Sequence, residues 1–277
     1  MDPINTTVLV GDCEKVIPHE VAANGQFNLV VTSPPYCDQR KGQYGGVKPD
    51  EYVEWFRPKA LVLRDCLTSD GSFFLNIKEK AVNGERHTYV HDLVGMMRSI
   101  GFLWVDEYIW HKKNSFPGKW PNRFRDAFER IHHFTKERKF KMRQESVMVP
   151  TGEWAEKRLA NLSANDKTRR GSETGHGMDR KISNWVGRDM AYPSNVLHMA
   201  TECGNKKHAA PYPVSLPEFF VKGFTDEGDR VLDPFLGSGT TCVAAMRLGR
   251  HSVGVELRPD YAKVAKRRLE QEKRNER

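Results

Sequence analysis

The stretch from Arg230 to Glu256 restricts the fold more than any other part of the chain. Arg230-Val231-Leu232 reads as a short buried strand and Asp233 to Thr241 as a Gly-rich turn. Cys242 to Leu248 reads as a helix closed by Gly249, and Ser252-Val253-Gly254-Val255 as a second strand that ends in Glu256. Two strands joined through a helix must run parallel in one sheet, and the helix covers one face of it.

The same alternation recurs upstream. Thr7-Val8-Leu9-Val10 is an expected strand, followed by a Gly11-Asp12-Cys13 turn and a helix through Ile17. A second strand over residues 28–32 precedes a polar, Gly-rich loop over residues 37–50, which suits a lid. Glu51 to Leu67 has helical periodicity with a kink expected at Pro58. Gly71 to Ile77 is a strand, Val90 to Ile100 a helix, and Leu103 to Trp110 and Arg130 to Phe134 further strands. Beyond the Tyr212-Pro213 segment, Pro217 to Lys222 reads as an amphipathic helix and Pro259 to Arg277 as a charged one. The expected architecture is α/β, a mostly parallel sheet covered by helices on both faces. From about Lys136 to Ala200 the periodicity lapses. A structureless loop of that length is unusual in a compact domain, so this stretch reads as an inserted subdomain, with Trp154, Trp185 and Tyr192 arguing for packing against the alternative of disorder.

The second restrictive stretch is Asn28 to Tyr36. Its Val-rich strand stops at Ser33-Pro34-Pro35-Tyr36, because proline lacks the N–H that a central ladder needs and holds the residue before it extended. The Ser33 hydroxyl, the backbone carbonyls and the Tyr36 ring are left at a strand's carboxyl end, where ligands bind in open α/β sheets. A plain turn is the alternative reading of the prolines alone.

The glycine turn with an acid at the next strand end is the geometry of nucleotide-type cofactor binding. No Lys follows Gly239, so the phosphate-binding loop pattern is absent. Cys242 stands where a dinucleotide fingerprint has its third glycine. S-adenosylmethionine carries no phosphate but has a sulfonium and an ammonium, which a carboxylate such as Asp233 suits.

Of the 277 residues, 38% are hydrophobic and 29% charged, and no apolar run reaches the ~18 residues of a membrane span. The amino terminus has neither a basic start nor an apolar core, and five scattered cysteines without a C-x-x-C pair read as reduced thiols, so a cytoplasmic protein is expected. Cys37, beside the proline motif, reads as a bystander. His132-His133 reads as core or surface packing, and no metal is expected. The net charge of +8 makes a polyanionic partner plausible. Lys112, Lys113, Lys119 and Arg123 lie among Trp110, Phe116, Trp120 and Phe124; Arg169 and Arg170 form a second cluster, and Arg40 sits in the Gly-rich loop. Cations among aromatics suit phosphates and bases, and equally a solvated face over half-buried rings.

Asp233-Pro234-Phe235-Leu236-Gly237-Ser238-Gly239-Thr240-Thr241 together with Ser33-Pro34-Pro35-Tyr36 resembles the amino-methyltransferases of DNA, and the order of the two motifs is similar to the permuted beta class. The resemblance spans nearly the whole chain except residues 136–190. It implies a Rossmann-like mixed sheet with helices on both faces, a catalytic half over residues 1–135, a target-recognition insertion over 136–200 and a cofactor half over 201–277. It implies S-adenosyl-L-methionine as cofactor, held by Asp12 and Cys13 of the first turn, by His208, by Asp233, Phe235, Gly237, Ser238, Gly239 and Thr240, and by Glu256 and Leu257. Ala209 replaces a proline usual after the position of His208. Arg123, Phe128, Glu129 and Phe134 fit the family's target-side strand. The implied partner is double-stranded DNA, contacted by Arg40, Lys112, Lys113, Lys119, Arg123, Arg169 and Arg170, with a cognate restriction endonuclease and a homodimer compatible with it.

The implied chemistry matches the motif. An exocyclic amine delocalised into its ring is a poor nucleophile. Hydrogen bonds from its N–H groups to Ser33 and the Pro34 carbonyl would pull the nitrogen towards tetrahedral geometry, with Tyr36 stacked on a base flipped out of the duplex. The resemblance associates Ser-Pro-Pro-Tyr with cytosine N4 and Asp-Pro-Pro-Tyr with adenine N6. Cytosine is therefore expected, adenine is the alternative, and a silent DNA-binding subunit is the reading from another class.

Overall fold

The computed structural model describes residues 4–38, 46–115, 118, 122–153, 157, 160–163, 187–202 and 212–275. Eight strands form one sheet: β1 (Thr6–Val10), β2 (Phe27–Thr32), β3 (Leu67–Ile77), β4 (Leu103–Lys112), β5 (Phe128–Thr135), β6 (Val196–Met199), β7 (Arg230–Asp233) and β8 (His251–Glu256). The order across the sheet is β1-β8-β7-β2-β3-β5-β4-β6, and β5 alone runs against the others. The sheet is thus mixed through one reversed strand. The helices are α1 (Cys13–Asn24), α2 (Tyr52–Cys66), α3 (Tyr89–Ser99), α4 (Ser215–Phe224), α5 (Thr240–Arg247) and α6 (Pro259–Asn275).

Strand alternation sends the sheet's side chains into two cores. Val30, Phe73 and Leu75 pack with Ile17 of α1, Phe56 and Leu63 of α2 and Leu93 of α3. Their neighbours Leu29, Val31 and Phe74 face Phe220 and Phe224 of α4, with the Phe74 and Phe220 rings stacked at 4.1 Å. Each such buried side chain is worth roughly 1.5–3 kcal/mol, so β2 is anchored on both faces up to the residue before Ser33. His132 and His133 belong to this interior. His133 shares a 3.0 Å hydrogen bond with Ser72 and stacks on Phe74 at 4.3 Å.

Several boundaries differ from the sequence expectation. Helix α1 continues through Pro18 to Asn24, where Gly25 at φ 86° closes it by donating its N–H to Val21. Helix α2 likewise runs through Pro58. The chain divides into two compact units, Met1–Arg143 with Asn195–Arg277, and Gln144–Ser194. Within the stretch that lacks periodicity, Val196–Met199 is a sheet strand paired with β4. It is too short to show a repeat, and its pairing is set by β4. In the smaller unit Val149–Pro150 pairs antiparallel with Met190–Ala191, and the Thr151 hydroxyl donates to the Asp189 carbonyl at 3.2 Å.

Among the described residues no helix is long and apolar enough to cross a membrane, and no group of three or more His, Cys, Asp or Glu could hold a metal ion.

Candidate functional site

Strands β2 and β7 are neighbours whose following connections leave in opposite directions, through α2 to β3 and through α5 to β8. A crevice opens at such a switch point, beyond the carboxyl ends of the strands. It holds a cavity of about 710 Å³, within the range that takes a cofactor and part of a second ligand.

On the β1, β8 and β7 side the wall includes Asp12, Cys13, Phe235, Gly237, Ser238, Thr240, Glu256 and Leu257, together with Trp55 and Lys59 of α2. Gly239 shapes this side without lining it. It sits at φ 85°, and a Cβ there would come within 3.3 Å of Ala265 on α6. Gly254 does the same for the strand below, where a Cβ would lie 2.3 Å from Leu236. The carboxylate of Glu256, 3% exposed, accepts the Gly237 N–H at 2.9 Å on one oxygen and the Arg258 N–H at 3.0 Å on the other. Arg268 of α6 braces the turn from behind by donating to Thr240 Oγ1 at 2.9 Å.

Asp233 lies beneath the turn and does not line the cavity. Oδ1 accepts from Thr32 at 2.6 Å and from the Phe235 N–H at 3.1 Å. Oδ2 accepts from Thr241 at 2.7 Å and from Tyr212 at 3.3 Å. Burial raises its pKa and these donors lower it, with burial the larger influence. Asp233, expected at the cationic end of a cofactor, ties the ends of β2 and β7 together through these hydrogen bonds. Cys13 is at the wall, but burial pushes its thiol up to about 12, and burial also raises Cys37, so neither is a thiolate nucleophile.

On the β2, β3, β5 and β4 side the wall is Ser33, Pro34, Pro35, Tyr36, Asn76, Lys78, Trp110, Lys112 and Glu129. Ser33 Oγ donates to the Tyr36 hydroxyl at 3.0 Å, and that hydroxyl donates to Glu129 Oε2 at 2.7 Å. Asn76 Nδ2 donates to Glu129 Oε2 at 2.8 Å and to Tyr36 at 3.0 Å, while Lys112 Nζ holds Glu129 Oε1 at 2.5 Å. Burial, and then the charge of Glu129, keep the Tyr36 phenol protonated well above its ordinary range. Asn76 Oδ1 is buried and has no hydrogen-bond partner among the described residues.

Lys112, expected at DNA phosphates, is thus part of the cavity wall, 18% exposed and paired with a carboxylate, because β5 brings Glu129 opposite Trp110 of β4. Lys113 is exposed and Arg123 half-buried, both away from the cavity, and Phe124 beside Arg123 is 98% exposed. Arg40, Lys119, Arg169, Arg170 and His208 lie outside the described residues. Sequence reasoning missed Asn76, Trp55 and Lys59 as wall residues. Asn76 carried a usable signal, a polar residue at the end of the apolar run Phe73-Phe74-Leu75.

The family described as DNA methylase (N6_N4_Mtase) matches residues 27–267. Type II methyltransferase M.PvuII of Proteus hauseri is 29% identical over 280 residues, 93% of this chain and 81% of its own length. Type II methyltransferase M.SmaI of Serratia marcescens is 26% identical over 296 residues, 95% of this chain and 90% of its own. Among solved structures, PvuII DNA methyltransferase, described as cytosine-N4-specific, superposes with a TM-score of 0.69 at 24% identity, covering 96% of this chain and 86% of that one. TTHA0409 from Thermus thermophilus, solved in complex with S-adenosyl-L-methionine, gives a TM-score of 0.62 at 24% identity over 96% of this chain and 94% of that one.

Proposed function

The chain belongs to the DNA methylase family that matches it over residues 27–267, and from that membership we propose that it transfers a methyl group from S-adenosyl-L-methionine to the N4 amine of cytosine in a flipped-out base. The observation that carries the choice of base is Ser33. At the head of the proline motif it offers a neutral hydroxyl where the adenine-associated pattern has a carboxylate. The cytosine-N4 description of the PvuII enzyme supports the same choice.

The residues present fit the cofactor. Glu256, an acceptor-only carboxylate at the cavity wall, is placed for ribose hydroxyls. Asp12 and Leu257 stand with it on the same side of the cavity, and the Gly237-Ser238-Gly239 turn lets backbone approach the ligand. When bound, S-adenosylmethionine supplies a methyl group on a sulfonium. The chain's residues do the rest by position. The Pro34 carbonyl and Ser33 Oγ are acceptors for the amine N–H groups, and the Tyr36 ring supports the base. Binding both reactants in one crevice converts a bimolecular displacement into an oriented one, and burial keeps the nearby Cys13 and Cys37 thiols protonated.

Double-stranded DNA is the substrate in this reading. The unit Gln144–Ser194, within the expected 136–200 insertion, supplies target recognition, the cations outside the cavity contact phosphates, and the protein works in the cytoplasm, where a cognate restriction endonuclease is compatible with it. Nucleoside mass spectrometry of duplex DNA treated with the enzyme and isotopically labelled cofactor tests the assignment. N4-methylcytosine is the expected product, and N6-methyladenine without it refutes the choice of base.

A further inference from the structure

We propose that Glu129 is a positioning residue that fixes Ser33 as a hydrogen-bond acceptor towards the target amine, acting through the Tyr36 hydroxyl. The inference rests on the reading of this site as an amine methyltransferase and adds what sets the polarity of its serine.

A serine hydroxyl can donate or accept, and only the second is useful against an amine, whose N–H groups are donors. In this site the choice is made at a distance. Glu129 is 7% exposed, and a carboxylate removed from water is tolerated only when its lone pairs are met by donors. Oε1 is met by Lys112 Nζ at 2.5 Å, and Oε2 by the Tyr36 hydroxyl at 2.7 Å and Asn76 Nδ2 at 2.8 Å. An ionised carboxylate accepts only, so the single phenolic proton of Tyr36 points at Glu129. The Tyr36 oxygen is then an acceptor, and it takes Ser33 Oγ–H at 3.0 Å and Asn76 Nδ2 at 3.0 Å. With its proton directed to Tyr36 and Asn76 Nδ2 donating to it at 3.4 Å, Ser33 Oγ can only accept from the cavity. The negative charge that an acidic residue would place directly against the amine is delivered here through two hydroxyl groups.

Asn76 reinforces the polarity. Its Nδ2 is held by Glu129 and by Tyr36, so turning the amide over would set its oxygen against a carboxylate. Lys112 makes a Glu129→Gln substitution informative. An ammonium donates only and claims the amide oxygen, which leaves the amide NH2 facing Tyr36 and Asn76. Tyr36 would then direct its proton back to Ser33, and Ser33 its own to the amine, where donor meets donor. The bland alternative is that Lys112 and Glu129 are a structural ion pair linking β4 to β5, and that Tyr36 contributes its ring alone.

The test uses the full chain with Tyr36→Phe, Glu129→Gln and the double substitution. Tyr36→Phe keeps the ring and removes the hydroxyl. Single-turnover methyl transfer to duplex DNA gives the rate, calorimetry the S-adenosylmethionine affinity, and thermal melting reports folding. Each single substitution is expected to slow transfer about 10- to 100-fold, the worth of one hydrogen bond to a charged group, with cofactor affinity unchanged. The double variant should be no slower than the slower single one, because either change breaks the same chain. A Tyr36→Phe enzyme at wild-type rate, or losses that multiply in the double variant, overturns the proposal. If Glu129→Gln does not fold, Tyr36→Phe decides alone. A wild-type protein that methylates no DNA overturns the functional reading, and this inference with it.

Discussion

Glu256→Ala should weaken S-adenosylmethionine binding and loosen the turn that binds it, and the structure separates the two effects. The carboxylate is 3% exposed and accepts the Gly237 and Arg258 N–H groups at 2.9 and 3.0 Å. Leaving two such donors without a partner costs about 1–3 kcal/mol each, so the folded state should lose roughly 2–6 kcal/mol. The hydrogen bonds to ribose hydroxyls are a separate loss, about 1.5–3 kcal/mol for a charged acceptor, or ten- to a hundred-fold in Kd. Glu256→Gln keeps one acceptor oxygen but turns an NH2 towards one of the two backbone donors, so it should fall between wild type and Ala on both axes. Calorimetric titration with S-adenosylmethionine reads the first effect, and urea denaturation with an unchanged m-value the second. A folded Ala variant with the wild-type Kd would show that Glu256 anchors the turn and never meets the cofactor. Full stability with weakened binding would show that the two N–H groups are not what holds the turn.

Ser33→Ala should lower methyl transfer while S-adenosylmethionine affinity, read by the same titration, stays constant; a parallel loss in both would move Ser33 to the cofactor side. Stability should fall as pH drops below about 6.5. Burial depresses the His133 imidazole to about 3 and also lowers His132, so between those values the unfolded chain binds more protons than the folded one. The slope is roughly 1.4 kcal/mol per pH unit for each such histidine, and urea melts between pH 4 and 7 (about the window of His133) should show it shallower in His133→Phe. DNA affinity should fall steeply with salt, by a slope of ~0.9 for each phosphate contacted. Filter binding of an Arg169→Ala/Arg170→Ala variant should give a flatter slope, and an unchanged one would take the insertion off the DNA backbone.

Much of the fold could be read from local signals. The Gly-rich turn, Glu256 at a strand end and the two prolines after β2 each specify a backbone geometry within a few residues, and the structure brings Ser33, Phe235 and Glu256 to one crevice. Helix ends were less legible, since Pro18 and Pro58 are accommodated inside α1 and α2. The strand Val196–Met199 was invisible because four residues carry no period and its partner is supplied by β4.

The sequence by itself determined the parallel βαβ framework, the cofactor turn and the strand end that carries Ser33, because hydrophobic period, glycine and proline act over one or two turns of chain. Only the tertiary structure decided which groups surround Ser33. Tyr36, Asn76, Lys112 and Glu129 are separated in sequence and meet because β5 enters the sheet reversed between β3 and β4, in a register that sets Glu129 opposite Trp110 and Ile131 opposite Asn76. That same closure paired Lys112 with a buried carboxylate, while hydrogen bonds from Thr32, Thr241 and Tyr212 hold Asp233 beneath the turn. Charge alone could not foretell either outcome, since a lysine and an aspartate are stable in the interior only where the fold brings them partners.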